Sequence, residues 1–256
     1  MSVKIKVCTF NLRTPVEKDG INYFPNRKGR ILDVIEQEKP DLIGFQEVAN
    51  EARRWLRTAL DGYVIVGCGR GSDFTGEAMI IAYKRDAFDL VSMETFWLST
   101  APSVPGSRYG VDQSSCPRSV TAVVLEHEGS ASPFLFLNTH LDHKGATARL
   151  LGAIQILQYV SEKGLPFVLT GDFNATPDAP EITAFTACKD REIVDVTREI
   201  PTTFHKFGER KDPLKIDYIF TDMPSDPAES YAVEDNPVDG LYISDHRPVI
   251  GFVTVE

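Results

Sequence analysis

Cysteine, methionine and tryptophan are scarce in this chain, at four, four and two among 256 residues. Cys8, Cys68, Cys116 and Cys188 lie far apart and form no CxxC pair. With no closely spaced His/Cys set either, a zinc centre is disfavoured. Free thiols fit a reducing compartment, and Cys8, inside an apolar strand pattern, reads as a buried structural thiol. Long apolar runs are missing too, since none approaches the ~20 residues that cross a bilayer. The start, Met1 to Phe10, alternates polar and apolar residues without a signal-type apolar block. The expectation is a cytoplasmic protein with no membrane contact. Also lacking is an excess of positive charge: 27 Lys and Arg face 37 Asp and Glu, a net charge of −10 with no basic run. A nonspecific nucleic-acid binder carries a basic stripe to neutralise phosphates, so a processive or genome-scanning nuclease is disfavoured. Hydrolysis of a small phosphoester is not.

What is present is ordinary globular material, 42% hydrophobic and 25% charged, in a length that suits one large domain or two. Lys4–Phe10 alternates as a strand ending at Asn11. Arg27–Glu38 places Ile31, Val34 and Ile35 on one helical face and stops before Pro40. Asp41–Phe45 reads as a buried strand, and Glu51–Leu60 as a second helix. Strands follow at Tyr63–Val66, Ala78–Tyr83 and Leu90–Leu98. Thr100–Pro117, rich in Pro, Gly and Ser, reads as a long functional loop. After strands at Val120–Glu126 and Phe134–Thr139 comes the best helix, Ala146–Glu162, with Leu150, Leu151, Ile154, Leu157 and Val160 on one side and Gly164 at its end. Phe167–Thr170, Lys215–Phe220, Tyr231–Glu234 and Val249–Val255 complete the strands. Many strands, few helices and several hairpins favour mixed sheets over a doubly wound parallel sheet.

One pattern recurs. An apolar strand ends and acids, amides or histidines follow at once, at Asn11, at Gln46-Glu47, at Asn138 to His143, at Asp172 to Asn174 and at Ser244-Asp245-His246. Strand ends hold side chains rigidly, so residues converging there can form a preorganised site.

TFNLR (Thr9–Arg13), FQEV (Phe45–Val48), NTHLDHKG (Asn138–Gly145), GDFNATP (Gly171–Pro177), KIDYIF (Lys215–Phe220) and SDHRPV (Ser244–Val249) resemble, together and in order, the motif set of the endonuclease/exonuclease/phosphatase superfamily. The resemblance runs from Thr9 to Val249. It implies one domain over residues 1–256, a four-layer α/β sandwich of two packed mixed β-sheets flanked by helices, with the site at one edge. It also implies a divalent-metal-dependent phosphoester hydrolase using Mg²⁺ or Mn²⁺. Glu47 resembles the principal metal carboxylate, with Asn11 supporting the metal or a phosphate oxygen and Asp245 a metal ligand or close to one. Asp172 and Asn174 match the pair that positions or deprotonates the attacking water. His246 resembles the phosphate-contacting histidine, and Asp217 its carboxylate partner. His140 resembles the histidine that pairs with a glutamate from an earlier strand, and Glu77 stands where that glutamate would lie. Arg118 resembles the arginine that binds the scissile phosphate.

Arg13, Arg108, Tyr109, Asp142, His143, Lys144 and His205 are further candidates for substrate contacts. Sugar phosphates, nucleotides and oligonucleotide ends all fit as substrates, and no obligate protein partner is evident. A DNA or RNA nuclease is the alternative. A binding module that kept the fold and lost the chemistry is another, against which the intact acids and histidines speak.

Overall fold

A computed structural model describes residues 2–256. The elements run β1 (Val3–Asn11), α1 (Phe24–Glu38), β2 (Leu42–Val48), α2 (Asn50–Ala59), β3 (Tyr63–Val66), β4 (Ala78–Lys84), β5 (Phe88–Trp97), β6 (Ser119–His127), β7 (Phe134–His140), α3 (Ala146–Lys163), β8 (Phe167–Asp172), α4 (Pro180–Thr186), β9 (Val194–Asp195), β10 (Asp217–Thr221), β11 (Tyr231–Ala232) and β12 (Val249–Val255). They form two six-stranded sheets, ordered β11-β12-β1-β2-β4-β3 and β5-β6-β7-β8-β10-β9. Each sheet is antiparallel except for one central parallel pair, β1 with β2 and β7 with β8. A parallel pair needs a long crossover, and α1 and α3 supply them.

The alternation of the strands explains the layers. One face of the first sheet (Ile5, Val7, Leu42, Ile81) meets Val123, Phe134, Phe136, Val168 and Ile219 of the second in a central core. Its other face, with Phe10, Ile43, Phe45 and Ile80, is covered by Ile31 and Ile35 of α1 and Leu56 of α2. On the far side, Leu135, Leu137, Leu169 and Phe220 are covered by Ile156 and Val160 of α3 and Phe185 of α4. The expected four-layer sandwich is what the chain adopts.

Near the site end, the sheet–sheet contact turns polar. Gln46 Nε2 donates to Thr9 Oγ1 (3.1 Å) and Asn138 Oδ1 (2.7 Å). Asn138 Nδ2 donates across the sheets to the carbonyls of Phe45 and Ile80, at 2.8 and 2.9 Å. Asn138 Oδ1 also accepts from Thr170 Oγ1 at 3.2 Å. This buried seam of hydrogen bonds, in which Gln46 Oε1 is left without a partner among the described residues, fixes the relative placement of the two sheets. Gly44 lets the two sheets approach closely, since a Cβ there would lie 2.0 Å from Thr170 Oγ1 and 2.7 Å from Asn138 Oδ1.

The structure corrects some local expectations. The face of α3 that packs inward carries Ala148, Gly152, Ala153, Ile156 and Val160, whereas Ile154 is exposed. Small residues win because the helix lies close to the sheet: a Cβ on Gly152 would meet Leu98 at 3.1 Å and Leu141 at 3.4 Å. The seven-residue α4 and the two-residue β9 are too short to show a period in the sequence.

Candidate active site

Because β1, β2, β7 and β8 run in matched pairs, their C-terminal ends share one edge of the sandwich, as do the starts of their antiparallel neighbours. That edge gathers Asn11, Glu47, His140 and Asp172 from strand ends. Asp217 opens β10, while Glu77, Arg118 and the Asp245-His246 pair precede β4, β6 and β12. Glu47, Glu77, Arg118, His140, His143, Asp172, Asn174, Asp245 and His246 line a common pocket of about 330 Å³, together with Arg13, Arg70, Phe204 and Ile216.

Local backbone aims these groups. A bulge shifts the β2–β4 register between Phe45 and Val48, and Glu47 takes a left-handed φ of 58°. Gln46 therefore turns into the seam between the sheets while Glu47 faces the pocket. Asn174 also adopts a left-handed φ, 50°, which asparagine tolerates. Its backbone N–H donates to Asp172 Oδ1 at 2.9 Å.

Asn11 is the bridge. Its Nδ2 donates to Glu47 Oε1 at 3.2 Å and to Asp172 Oδ2 at 3.0 Å, and its Oδ1 accepts from Arg13 N at 2.9 Å. The amide therefore orders two carboxylates instead of offering a free oxygen. Burial opposes the Glu47 charge, but the Thr14 N–H, the His246 cation and Arg13 outweigh it and hold its pKa below the usual value. Asp172 differs: burial, then the Asp217 charge, push it up to about 7.

His246 Nδ1 lies 2.8 Å from Asp217 Oδ2, which also accepts from Thr203 Oγ1 at 2.6 Å. Burial alone would discharge this imidazole, but Asp217, then Asp172 and Asp245, reverse the effect and push it up to about 10. His246 is thus a cation at neutral pH. A raised folded-state value means that the pair's stabilisation is complete below about pH 6.5, the unfolded value, and fades as pH rises through about 10. Asp217→Asn removes the charge that sustains the cation. We expect the alkaline limb of the pH–activity profile to move from near 10 to neutral or below in this variant. An unmoved limb would show that the Asp217–His246 pair does not govern the reaction.

His140 has the opposite character. Asn174 Nδ2 donates to the Leu141 carbonyl at 3.1 Å and lies 2.9 Å from His140 Nε2. With Nε2 accepting, the ring is neutral, and burial, helped by Arg118 and Arg70, keeps its pKa well below the imidazole value. The expected His140–Glu77 pair is not made. Glu77 Oε2 is instead 2.7 Å from Arg70 Nη2, and His140 Nδ1 is buried with no partner among the described residues.

Arg118, 3% exposed, is held by Asp142 at 3.3 Å and lies 2.9 Å from His143 Nδ1, leaving Nη1 unpartnered among the described residues. Asp142 does not face the pocket as a substrate contact. Its carboxylate accepts from the backbone of Gly145, Lys144 and Ser114 and from the Ser114 hydroxyl. Tyr109, Arg108 and His205 are likewise turned elsewhere, to Gln155 (2.6 Å), the Ser114 carbonyl (2.6 Å) and Tyr242 (ring centroids 5.4 Å apart). None of the three lines the pocket, and neither does the exposed Lys144.

Two further arginines shape the site without belonging to any of the ordered motifs. Arg70, in a Gly-Arg-Gly stretch, enters the pocket from the loop before β4. Arg27 is fully buried and donates to the carbonyls of Leu12, Arg13, Asn22 and Ile243, tying down the segments that carry Arg13 and Asp245. Its position four residues before Ile31, on the apolar face of α1, was the available signal.

Two groupings bring ligand atoms within 4.8 Å of one another: Glu47, His140 and Asp172, and Asp172, Asp217 and His246. In the second, Asp217 and His246 are already paired to each other. The first offers hard carboxylate oxygens, the donors that Mg²⁺ or Mn²⁺ prefer. Asp245 joins neither group among the described residues; its Oδ2 lies 3.8 Å from Arg13 Nε.

Known proteins share this fold. An endonuclease/exonuclease/phosphatase from Bacteroides vulgatus superposes with a TM-score of 0.89 at 28% identity, covering 99% of this chain and 100% of that one. A mannosyl-6-phosphatase of Bacteroides thetaiotaomicron superposes with a TM-score of 0.85 at 27% identity, covering 98% and 100%. Protein L388 of Acanthamoeba polyphaga mimivirus is 24% identical over 251 residues, 88% of this chain and 90% of that protein. The profile of the Endonuclease/Exonuclease/phosphatase family matches residues 8–246. With the fold and the profile in accord, the chain belongs to the endonuclease/exonuclease/phosphatase family.

Proposed function

We propose that the chain is a divalent-metal-dependent phosphoester hydrolase acting on a small phosphoester. The observation that carries this reading is the union in one pocket of two amide-bridged carboxylates, a histidine cation and a buried arginine with a spare donor. Glu47 and Asp172 are the residues that would hold Mg²⁺ or Mn²⁺. Such an ion, when bound, supplies Lewis-acid polarisation of a phosphoryl oxygen.

The chain's own groups account for the remaining chemistry. Asp172 accepts the proton of the attacking water, and Asn174 holds that carboxylate through its backbone N–H. The His246 cation and Arg118 lie where negative charge grows on the phosphoryl oxygens, with Asp217 fixing the imidazole. Neutral His140 keeps Asn174 in place and adds no competing charge.

A small substrate fits the modest pocket and the net charge of −10, and the mannosyl-6-phosphatase likeness supports it. The nuclease alternative gains no basic surface. The four free thiols support work in a reducing, cytoplasmic setting, and no helix among the described residues is long and apolar enough to cross a membrane.

Stripping metal tests the core of this reading. Excess EDTA should reduce hydrolysis of a phosphoester panel to background, and added Mg²⁺ or Mn²⁺ should restore it. Undiminished turnover in the chelator would be fatal to the reading.

A further inference from the structure

Arg70 and Glu77 line the pocket beside Glu47 and Arg118, yet the chemistry above uses neither. They face each other across the hairpin that joins β3 to β4. Arg70 N donates to the Glu77 carbonyl at 3.0 Å, Gly71 N reaches the Thr75 carbonyl at 3.0 Å, and Gly69 bridges Ala78. Trp97 Nε1 clamps the hairpin by donating to the Arg70 carbonyl at 2.7 Å, and the Phe74 ring packs edge-on against Trp97. Arg70 is 9% exposed, but its Nη1 has no hydrogen-bond partner among the described residues. Arg70 thus stands in the wall of the pocket that holds the reacting groups, with one buried guanidinium nitrogen left unpaired among the described residues.

Charge indicates what that donor recognises. Arg70 is balanced by Glu77 at 2.7 Å and Arg118 by Asp142 at 3.3 Å. This wall is two neutral pairs, with no net positive charge to attract a phosphate beyond the one being cleaved. A carboxylate beside a guanidinium instead offers an acceptor next to a donor. That is the complement of a hydroxyl group, which donates and accepts at once. The pocket, about 330 Å³, is near the lower end of ligand sites, which run from about 300 to 1,000 Å³. It suits one phosphoryl group and a single small ring.

We propose that Arg70 and Glu77 read hydroxyl groups on the alcohol esterified to phosphate, and that the substrate is a phosphate ester of a monosaccharide or a related polyol. This rests on the hydrolase reading and adds to it the identity of the leaving group. The two residues act on specificity, through a donor and acceptor that only a hydroxylated ester can satisfy.

The test compares the full chain with Arg70→Met and Glu77→Gln on hexose phosphates, a hexitol phosphate, a hexose bisphosphate and p-nitrophenyl phosphate, which has no hydroxyl. Wild type should prefer the hydroxylated monophosphates. Each variant should lower the ratio of kcat/KM for the sugar ester over the aryl ester by roughly tenfold or more, mainly through KM. The double variant should lose little beyond either single one, because the pair works as a unit. Ratios within threefold of wild type in both variants, with melting curves showing a folded chain, overturn the assignment. So does a preference for the bisphosphate that Arg70→Met alone abolishes, which would make Arg70 a second anion site. If wild type hydrolyses none of these esters, a phosphodiester panel decides the hydrolase reading, and calorimetric binding of the same sugar esters decides this one. Sugar-phosphate binding weakened tenfold by Arg70→Met upholds it, and absent or unchanged binding refutes it.

Discussion

Asp172→Asn is expected to lower kcat by about 10²–10⁴-fold, the range that a general base contributes, while leaving the fold at least as stable. Both halves follow from one environment. The carboxylate is 2% exposed, and burial together with Asp217 pushes its pKa up to about 7. A raised folded-state value means that ionising Asp172 costs stability: the cost begins above the unfolded value of about 3.9 and is complete above about 7. Asparagine removes that cost and keeps an oxygen to accept from Asn174 N, with its NH2 in place of the oxygen that met Asn11 Nδ2. It cannot take a proton from water and is a poor ligand for a hard cation. Turnover assays paired with thermal melts in metal-free buffer at pH 8 check both halves. Near-native turnover would remove Asp172 from the chemistry, and a markedly lower melting temperature would show that its main role is structural.

The largest expected effect on stability lies at Gly44, where no catalysis occurs. Gly44→Ala places a methyl group 2.0 Å from Thr170 Oγ1 and 2.7 Å from Asn138 Oδ1. Neither neighbour can simply swing aside, because Asn138 is committed to Gln46, Phe45 and Ile80 and Thr170 to the Leu137 carbonyl. The sheets must separate or the polar seam must break. Overpacking and lost buried hydrogen bonds together predict a cost of about 3 kcal/mol or more, a large share of a typical 5–15 kcal/mol. Urea unfolding measures it directly. A change under about 0.5 kcal/mol, as at an unimportant surface position, would contradict the close approach described here.

The strands and the site edge were legible because their signals are local. Alternation in Lys4–Phe10 and the apolar runs before Glu47, His140 and Asp172 report strand and strand end without any tertiary knowledge. The ordered motifs then predicted which acids and histidines meet, and Glu47, His140, His143, Asp172, Asp245 and His246 share the pocket. What stayed hidden depends on packing between distant segments. Tyr109 turns away because Gln155 of α3 lies within reach, and Asp142 is consumed by the turn that starts the same helix. Glu77 chooses Arg70 over His140 because the β3–β4 hairpin sets Arg70 directly across from it. Arg70 itself stands in a turn with no period to betray it. The inward face of α3 was misjudged for a related reason, since periodicity reports greasy residues and close approach selects small ones.

The pairing of β1 with both β2 and β12 has a temporal consequence. During synthesis β1 and β2 emerge well before β12, and His246 lies just ahead of β12. A chain interrupted between Asp172 and His246 carries Asn11, Glu47 and Asp172 but neither the imidazole nor the second neighbour of β1. On the proposed function such a product is expected to be inactive.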